Sequence, residues 1–383
     1  MTTAAQRKTH ERNLLAITGL PTAAGREDRV IAWVRDWVKK RKNIRIKADR
    51  AGNLILTQTA KSSDRPIFIT AHLDHPAFVV RRMIDDRTVE LEFRGGVNNP
   101  YFENARVDIY ADDDTVVTGK ITKLDPKAKP FKRVIVALSR KTDIVQPGDV
   151  GRWAFRGRGA EPEIVNGLLH TPACDDLAAV AAALSALDVI RGKRGMNNVG
   201  VLLTRAEEIG FIGTLAVCKD KSVPKSARLI CLENSRSYPE SPIGGGPILR
   251  VGDKISVFDP KLTNRIGLIM TEHAKKNPDY VWQRKLMPGG ACEATAFSTF
   301  GYESTCLCLP LGNYHNMSDI DAVAKGKRPA RVKPEVISVD DYHGLIEMLI
   351  VVARELDSAR VESLEDKLYG WLEQFKDVVY TNA

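Results

Sequence analysis

A chain of 383 residues exceeds the size at which a single hydrophobic core stops growing, so its length predicts one large domain with a smaller one beside it. Its 43% apolar and 27% charged content is that of an ordinary soluble globular protein. No stretch reaches the roughly 18 apolar residues of a membrane span, and MTTAAQRKTHERN lacks a secretory core, so the expected location is the cytoplasm without a membrane partner.

The net charge of +9 is spread along the chain without a basic block, so nucleic acid is not expected as a partner. Six cysteines without CxxC spacing read as buried free thiols. In chain order, residues 7–20 and 26–41 carry helical apolar spacing, with Val30, Val34, Trp37 and Val38 on one face of the second. A short strand near 43–48, the turn ADRAGN and LILTQT form a hairpin, and IFITAH is a buried strand. From about 77 to 166, short alternating runs are broken by Gly, Asn, Asp and Pro, with no helix among them. The remainder alternates helix and strand: DDLAAVAAALSALDVIRG is a helix with Leu177, Val180, Leu184 and Leu187 on one face, and GVLLT, RLICLE and STCLCLPL are buried strands. Two helices, DDYHGLIEMLIVVARELD and SLEDKLYGWLEQFKDVV, close the chain. The fold class is therefore α/β, a mostly parallel mixed sheet between helices with an inserted small β-barrel. Residues 1–76 and 167–383 are the two parts of the catalytic domain, and 77–166 the insertion.

Four apolar runs end in potential metal ligands: His72, the pair Glu207-Glu208, Glu233, and His315. Asp175 opens the alanine-rich helix. Ligands of open α/β sheets gather beyond the carboxyl ends of the strands, so these five positions converge on one crevice. Two imidazoles and three carboxylates suit a pair of divalent ions bridged by one carboxylate; zinc fits first, with cobalt or manganese also compatible. In the Glu207-Glu208 dipeptide the two side chains diverge, giving one ligand and one general base. Asp74, two residues beyond His72, is placed to fix the imidazole tautomer. Local alternatives stay open: Asp175 and Asp176 also suit a helix N-terminus, His75 competes as a ligand, and Gly244–Gly246 reads as a plain turn or as backbone close to substrate.

Taken together, AGRED, DRAGNL, AHLDHPAF, QPGDVG, ACDDLAAV, TRAEEIGFIGT, GGGPILRVGD, PGGACEATAF and YHNMSD resemble the dinuclear metal aminopeptidases that assemble as tetrahedral particles, the TET or glutamyl/deblocking aminopeptidases. The resemblance runs from about Gly25 to Asp357. It implies that Asp175 bridges two ions, that His72 and Glu233 complete one site and Glu208 and His315 the other, with Glu207 as base and Asp74 orienting His72. It further implies removal of the N-terminal residue of short peptides by a homo-oligomer, from a dimer up to a dodecamer, with the β insertion at the contacts. A carboxypeptidase or N-acyl deacylase on the same metal core, and a non-catalytic metal-binding scaffold, are the competing readings. Departures are Glu233 where relatives usually carry Asp, His75 where they carry an acid, GGAC for GGTD (Cys292, then Glu293), and Leu177 in DDL. His75, Cys292 and Glu293 fall where the resemblance places substrate recognition, which predicts a selectivity unlike that of the acid-specific relatives. The helix from about Ser363 extends past the usual end of the family.

Overall fold

The computed structural model describes residues 2–359 and 362–380. Eight strands form the main sheet: β1 (Ile44–Ala48), β2 (Leu54–Gln58), β3 (Ile67–His72), β12 (Val199–Thr204), β13 (Arg228–Arg236), β14 (Ile248–Gly252), β15 (Gln283–Leu286) and β16 (Glu303–Leu311), in the order β1-β2-β12-β3-β13-β16-β14-β15. The central four, β12, β3, β13 and β16, run parallel, with Thr204 beside His72 and Glu233 beside Cys308. All their C-terminal ends therefore open on one edge. These strands are buried on both faces, which is why they read as unbroken apolar runs.

Helices cover the sheet: α1 (Ala4–Thr18), α2 (Asp28–Lys39), α3 (Leu177–Ile190), α4 (Ile212–Asp220), α5 (Pro260–Lys276), α6 (Glu293–Thr299), α7 (Ile320–Ala324), α8 (Val339–Glu355) and α9 (Leu364–Phe375). The first two are shifted by up to three residues from the expected 7–20 and 26–41. In α3 every residue but Asp188 is buried, not the one stripe read from its sequence. Its alanines let it approach α1 and α8 on one side and β3, β12 and β13 on the other. By contrast α9 contains no buried residue.

The insertion is a closed antiparallel barrel of β4 (Ala77–Asp85), β5 (Thr88–Arg94), β6 (Arg106–Tyr110), β7 (Val116–Asp125), β8 (Lys132–Leu138) and β9 (Val150–Trp153), ordered β4-β5-β8-β7-β6-β9. Phe78, Phe93, Phe102 and Trp153 fill it with edge-to-face ring contacts. β10 (Glu163–Val165) lies outside the barrel; it pairs with β11 (Leu168–Thr171), which pairs with β17 (Glu335–Ser338). The barrel strands thus end at Trp153, ahead of the expected boundary at 166. Among the described residues no helix is long and apolar enough to cross a membrane, five cysteines are buried, and Cys218 is half-buried.

Candidate metal centre and substrate cleft

His72 ends β3 and is buried. Its Nδ1 lies 3.1 Å from the Asp74 carbonyl oxygen and 3.4 Å from the Asp74 carboxylate. A proton shared there leaves the Nε2 lone pair free for a metal. The Asp74 carboxylate does more than orient the ring. It accepts the backbone N–H groups of Glu207 and Glu208, at 3.0 and 3.1 Å, so one aspartate sets both sides of the site.

The glutamate pair is not at the end of a strand, as the sequence suggested, but in the loop after β12, whose last residue is Thr204. Ala206 enters the left-handed region there with φ +54°. Glu27, fully buried, holds the loop by accepting Arg205 Nε at 2.7 Å and Ala206 N–H at 3.0 Å. Glu233 likewise does not end its strand: β13 runs on to Arg236, and Asn234 donates to the Asp176 carboxylate at 2.7 Å. Asp176 also accepts the His72 N–H at 3.2 Å and makes no side-chain cap on α3, so its carboxylate serves the site and not the helix end.

His315 lies in a 3-10 turn after β16, with φ +53°. Its N–H donates to Glu335 at 2.8 Å, and its Nδ1 is 2.7 Å from the carbonyl of Gly96, in the loop that leaves β5 of the barrel. Glu335 also accepts the N–H groups of Cys174 at 2.7 Å and Asp175 at 3.0 Å. His75 is no ligand. Its Nδ1 meets the Asp175 carbonyl and its Nε2 lies 3.1 Å from Asn316 Oδ1, so it buttresses two ligand-bearing segments from behind.

Around this frame, His72 Nε2 stands 3.3 Å from Asp175 Oδ1, and His315 Nε2 stands 3.3 Å from Asp175 Oδ2 and 3.4 Å from Glu208 Oε1. Ligands bound at about 2.0–2.1 Å on a tetrahedral ion are themselves about 3.3–3.4 Å apart. Each oxygen of Asp175 faces a different histidine, as a bridging carboxylate requires. Three donor groups lie within 4.8 Å: His72, Asp175 and Glu233; His72, Glu207 and Glu208; Asp175, Glu208 and His315. Asp175 Oδ1 and Glu208 Oε1 are buried without a hydrogen-bond donor. Buried carboxylate oxygens whose nearest partners are two imidazoles at 3.3–3.4 Å are costly, and cations offset the cost, so the donor set fits divalent ions.

The electrostatics agree. Burial would lower the His315 imidazole, but the Glu208 and Asp175 carboxylates override it and hold its pKa up at about 9. Burial, and then Asp175, raise Glu208 to about 7 against the opposing pull of His315. Glu207 is pushed well up, first by burial and then by Glu208 and Asp74, against the opposing charge of His72.

Beside Glu233 opens a cleft of about 190 Å³ lined by Arg236, Tyr238, Arg250, Gly289, Gly290 and Tyr314. Tyr314 stacks on His315 at 3.8 Å. Arg250 is buried; it donates to Ser235 Oγ at 3.1 Å and stands 3.7 Å from Asp253, while its Nε has no partner. The cleft wall does not include His75, Cys292 or Glu293. Glu293 is fully buried, bonded to Thr70 and Thr214, and Cys292 donates its N–H to Asp253 at 3.1 Å. Gly244 and Gly246 give their N–H groups to Asp341 of α8 and form a turn away from the cleft.

Polarised ligands at the open edge of a parallel sheet, next to a cleft with one buried cation, define a metal-dependent hydrolase of the α/β class. The resemblance read from the motifs holds, since residues 52–328, more than two thirds of the sequence, match the M42 glutamyl aminopeptidases, and the chain belongs to that family. It is a metal-dependent aminopeptidase, a hydrolase of peptide bonds. No curated protein matches the sequence. Solved structures share the fold at low identity. A TET1 peptidase of Pyrococcus horikoshii, described as assembling into a tetrahedron or a large octahedral shell, is 18% identical with a TM-score of 0.70, covering 90% of this chain and 99% of its own. An aminopeptidase of the archaeon Desulfurococcus kamchatkensis is 18% identical with a TM-score of 0.71 over 94% and 99% of the two chains. A TET aminopeptidase from a marine-sediment Thaumarchaeota archaeon is 18% identical with a TM-score of 0.72 over 92% and 97%.

Proposed function

We propose that this aminopeptidase works with two divalent ions, zinc first among the compatible metals, held by His72, Asp175, Glu233, Glu208 and His315. The observation that carries the reading is the split of Asp175, one oxygen toward each histidine. Ions bound there supply Lewis-acid polarisation of the scissile carbonyl and lower the pKa of a bound water. Glu207 would take a proton from the attacking water and pass it to the departing amine. Its raised pKa, set by burial and by neighbouring carboxylates, suits it to hold the proton between the two transfers.

The cleft supports short peptides with an acidic first side chain. Arg250 places a guanidinium charge at the cleft wall, its nearest carboxylate being Asp253 at 3.7 Å, in surroundings where a closer carboxylate partner gains much. The expectation of a non-acidic preference rested on His75, Cys292 and Glu293, and none of these lines the cleft. By similarity to the tetrahedral particles, the chain assembles into homo-oligomers, and light scattering that shows only monomer across a wide concentration range would reject that part.

The test of the mechanism is a pair of substitutions. Glu207→Gln should keep two metals per chain and lose on the order of 10²-fold or more in kcat. Glu208→Gln should instead release metal, read by elemental analysis. Exchanged phenotypes would reverse the two roles. Faster cleavage of N-acetylated than of free peptides would replace the aminopeptidase reading with a deacylase.

A further inference from the structure

Among the described residues, α9 is the one helix of two turns or more without a buried side chain. Its start is nonetheless specified: Ser363 Oγ accepts the Asp366 N–H at 3.0 Å, while the Asp366 carboxylate accepts from Ser363. Leu364, Leu368, Trp371 and Phe375, continued by Val378 just past the helix end, fall at alternating spacings of four and three along the chain, and Leu372 and Tyr369 flank that row. That is the seam of a helix made to lie against another helix. Trp371 and Phe375 are 51% and 56% exposed, and a helix of 12 residues is marginal in water without a partner. The metal site and the cleft use none of these residues.

Charge narrows the partner. The segment 363–380 carries −2, from Glu365, Asp366, Glu373 and Asp377 against Lys367 and Lys376, while the whole chain carries +9 and hence its other residues +11. Helices that lie on anionic membranes carry lysine and arginine on the polar face, and this one is acidic. The seam is instead complementary to itself when reversed. Turning one copy around places Leu364 against Phe375 of the second copy and Leu368 against Trp371 of the second copy, with the reciprocal pairs completing four layers. Glu365 then falls near Lys376 of the second copy, and the helix dipoles oppose. A parallel pair would set Lys367 beside its own copy and Glu365 beside its own copy.

We infer that α9 is a self-association element, pairing antiparallel with α9 of a second copy of this chain through Leu364, Leu368, Trp371 and Phe375. Four layers bury less than the roughly 1,200–2,000 Å² of an independently stable interface, so the pair acts as a clasp that tightens assembly of the attached bodies. The inference is independent of the catalytic reading, and its failure would leave that reading standing.

Sedimentation of the full chain and of the Leu368→Glu/Phe375→Glu variant across roughly 1–50 µM tests it. The variant should keep its metal content and peptidase rate per chain and sediment at half the mass or less at the lower concentrations, whereas Glu373→Gln, opposite the seam, should sediment as the full chain does. Oxidative cross-linking fixes the orientation: a mixture of Leu364→Cys and Phe375→Cys chains should give a covalent dimer that neither gives alone. Equal masses for the full chain and the double variant would overturn the proposal. So would self-cross-linking of each cysteine variant alone, or flotation of the full chain with phosphatidylcholine/phosphatidylglycerol vesicles that the double variant abolishes.

Discussion

Arg250 is the residue that would set the proposed acidic preference without touching the chemistry. It sits on β14, antiparallel to β16, with its cross-strand partner at Cys306, so the sheet carries its charge to the cleft beside Glu233. It donates to Ser235 and stands 3.7 Å from Asp253, which leaves the guanidinium without a close carboxylate of the kind an acidic first side chain would supply. Arg250→Met should therefore lower kcat/KM for peptides beginning with Glu or Asp on the order of 10²-fold, the scale of losing one charged hydrogen-bond partner of about 1.5–3 kcal/mol, and spare those beginning with Leu or Ala. The acidic-to-neutral ratio within one preparation is the measurement, since it cancels any loss of folded enzyme. An unchanged ratio would remove Arg250 from recognition. Nothing in ILRVGD announced this role, because an arginine in an apolar strand becomes conspicuous only once its neighbours are known.

At the scale of elements, what was legible depended on whether the signal was local. His72 at the end of β3, and His315 and the Glu207-Glu208 pair a few residues past β16 and β12, were readable because apolar runs lead into them. The hairpin of β1 and β2 and the long α8 followed from periodicity for the same reason. Glu27 and Glu335 were not readable: each is a lone glutamate far in sequence from the loop it holds, and only the fold brings its carboxylate to three acceptor-seeking N–H groups or a guanidinium. The Asp175-Asp176 pair was ambiguous between helix cap and site; in the fold Asp176 makes no cap bond and accepts from Asn234 on β13 instead. The loop after β12 carries the most consequence for function, being pinned at once by Glu27, Asp74 and Asn53. Gly213 closes it. A Cβ there would stand 2.4 Å from the Arg205 carbonyl and 2.6 Å from the Arg205 nitrogen, both backbone atoms that cannot swing aside. Gly213→Ala should thus shift the Glu207-Glu208 segment and cut kcat by about tenfold or more, as misplacement of a catalytic group by an ångström does. Calorimetry alongside kinetics decides it: a variant with wild-type kcat would show that the loop absorbs the methyl group.

On the scale of the whole molecule, barrel and sheet meet at the candidate metal centre. Gly96, from the barrel, fixes His315, while His75, at the junction between β3 and the barrel, bridges the Asp175 and Asn316 segments. Ligand geometry is therefore tied to the seating of the insertion, and metal binding should report on the stability of the entire fold. Without ions the site is a cluster of buried carboxylates around two imidazoles. His315, raised to about 9, stabilises the metal-free fold fully below its ordinary value of 6.5, and that contribution is lost as pH rises through 9. Glu208, raised to about 7, acts in the same sense: above 4.5 the unfolded chain ionises while the folded one resists until 7, so stability again falls with rising pH. The two are coupled, and both act in the same direction, so the metal-free protein should lose stability, read as a fall of several degrees in Tm, between pH 5 and 9. Bound cations replace those protons and stabilise the ionised carboxylates, so the metal-loaded protein should show a much flatter profile over the same range. Scanning calorimetry of chelated and reconstituted protein at half-unit steps of pH makes the comparison, and a metal-free Tm that rises or stays level between pH 6.5 and 9 would mean that these side chains do not face one another as an ion-free cluster.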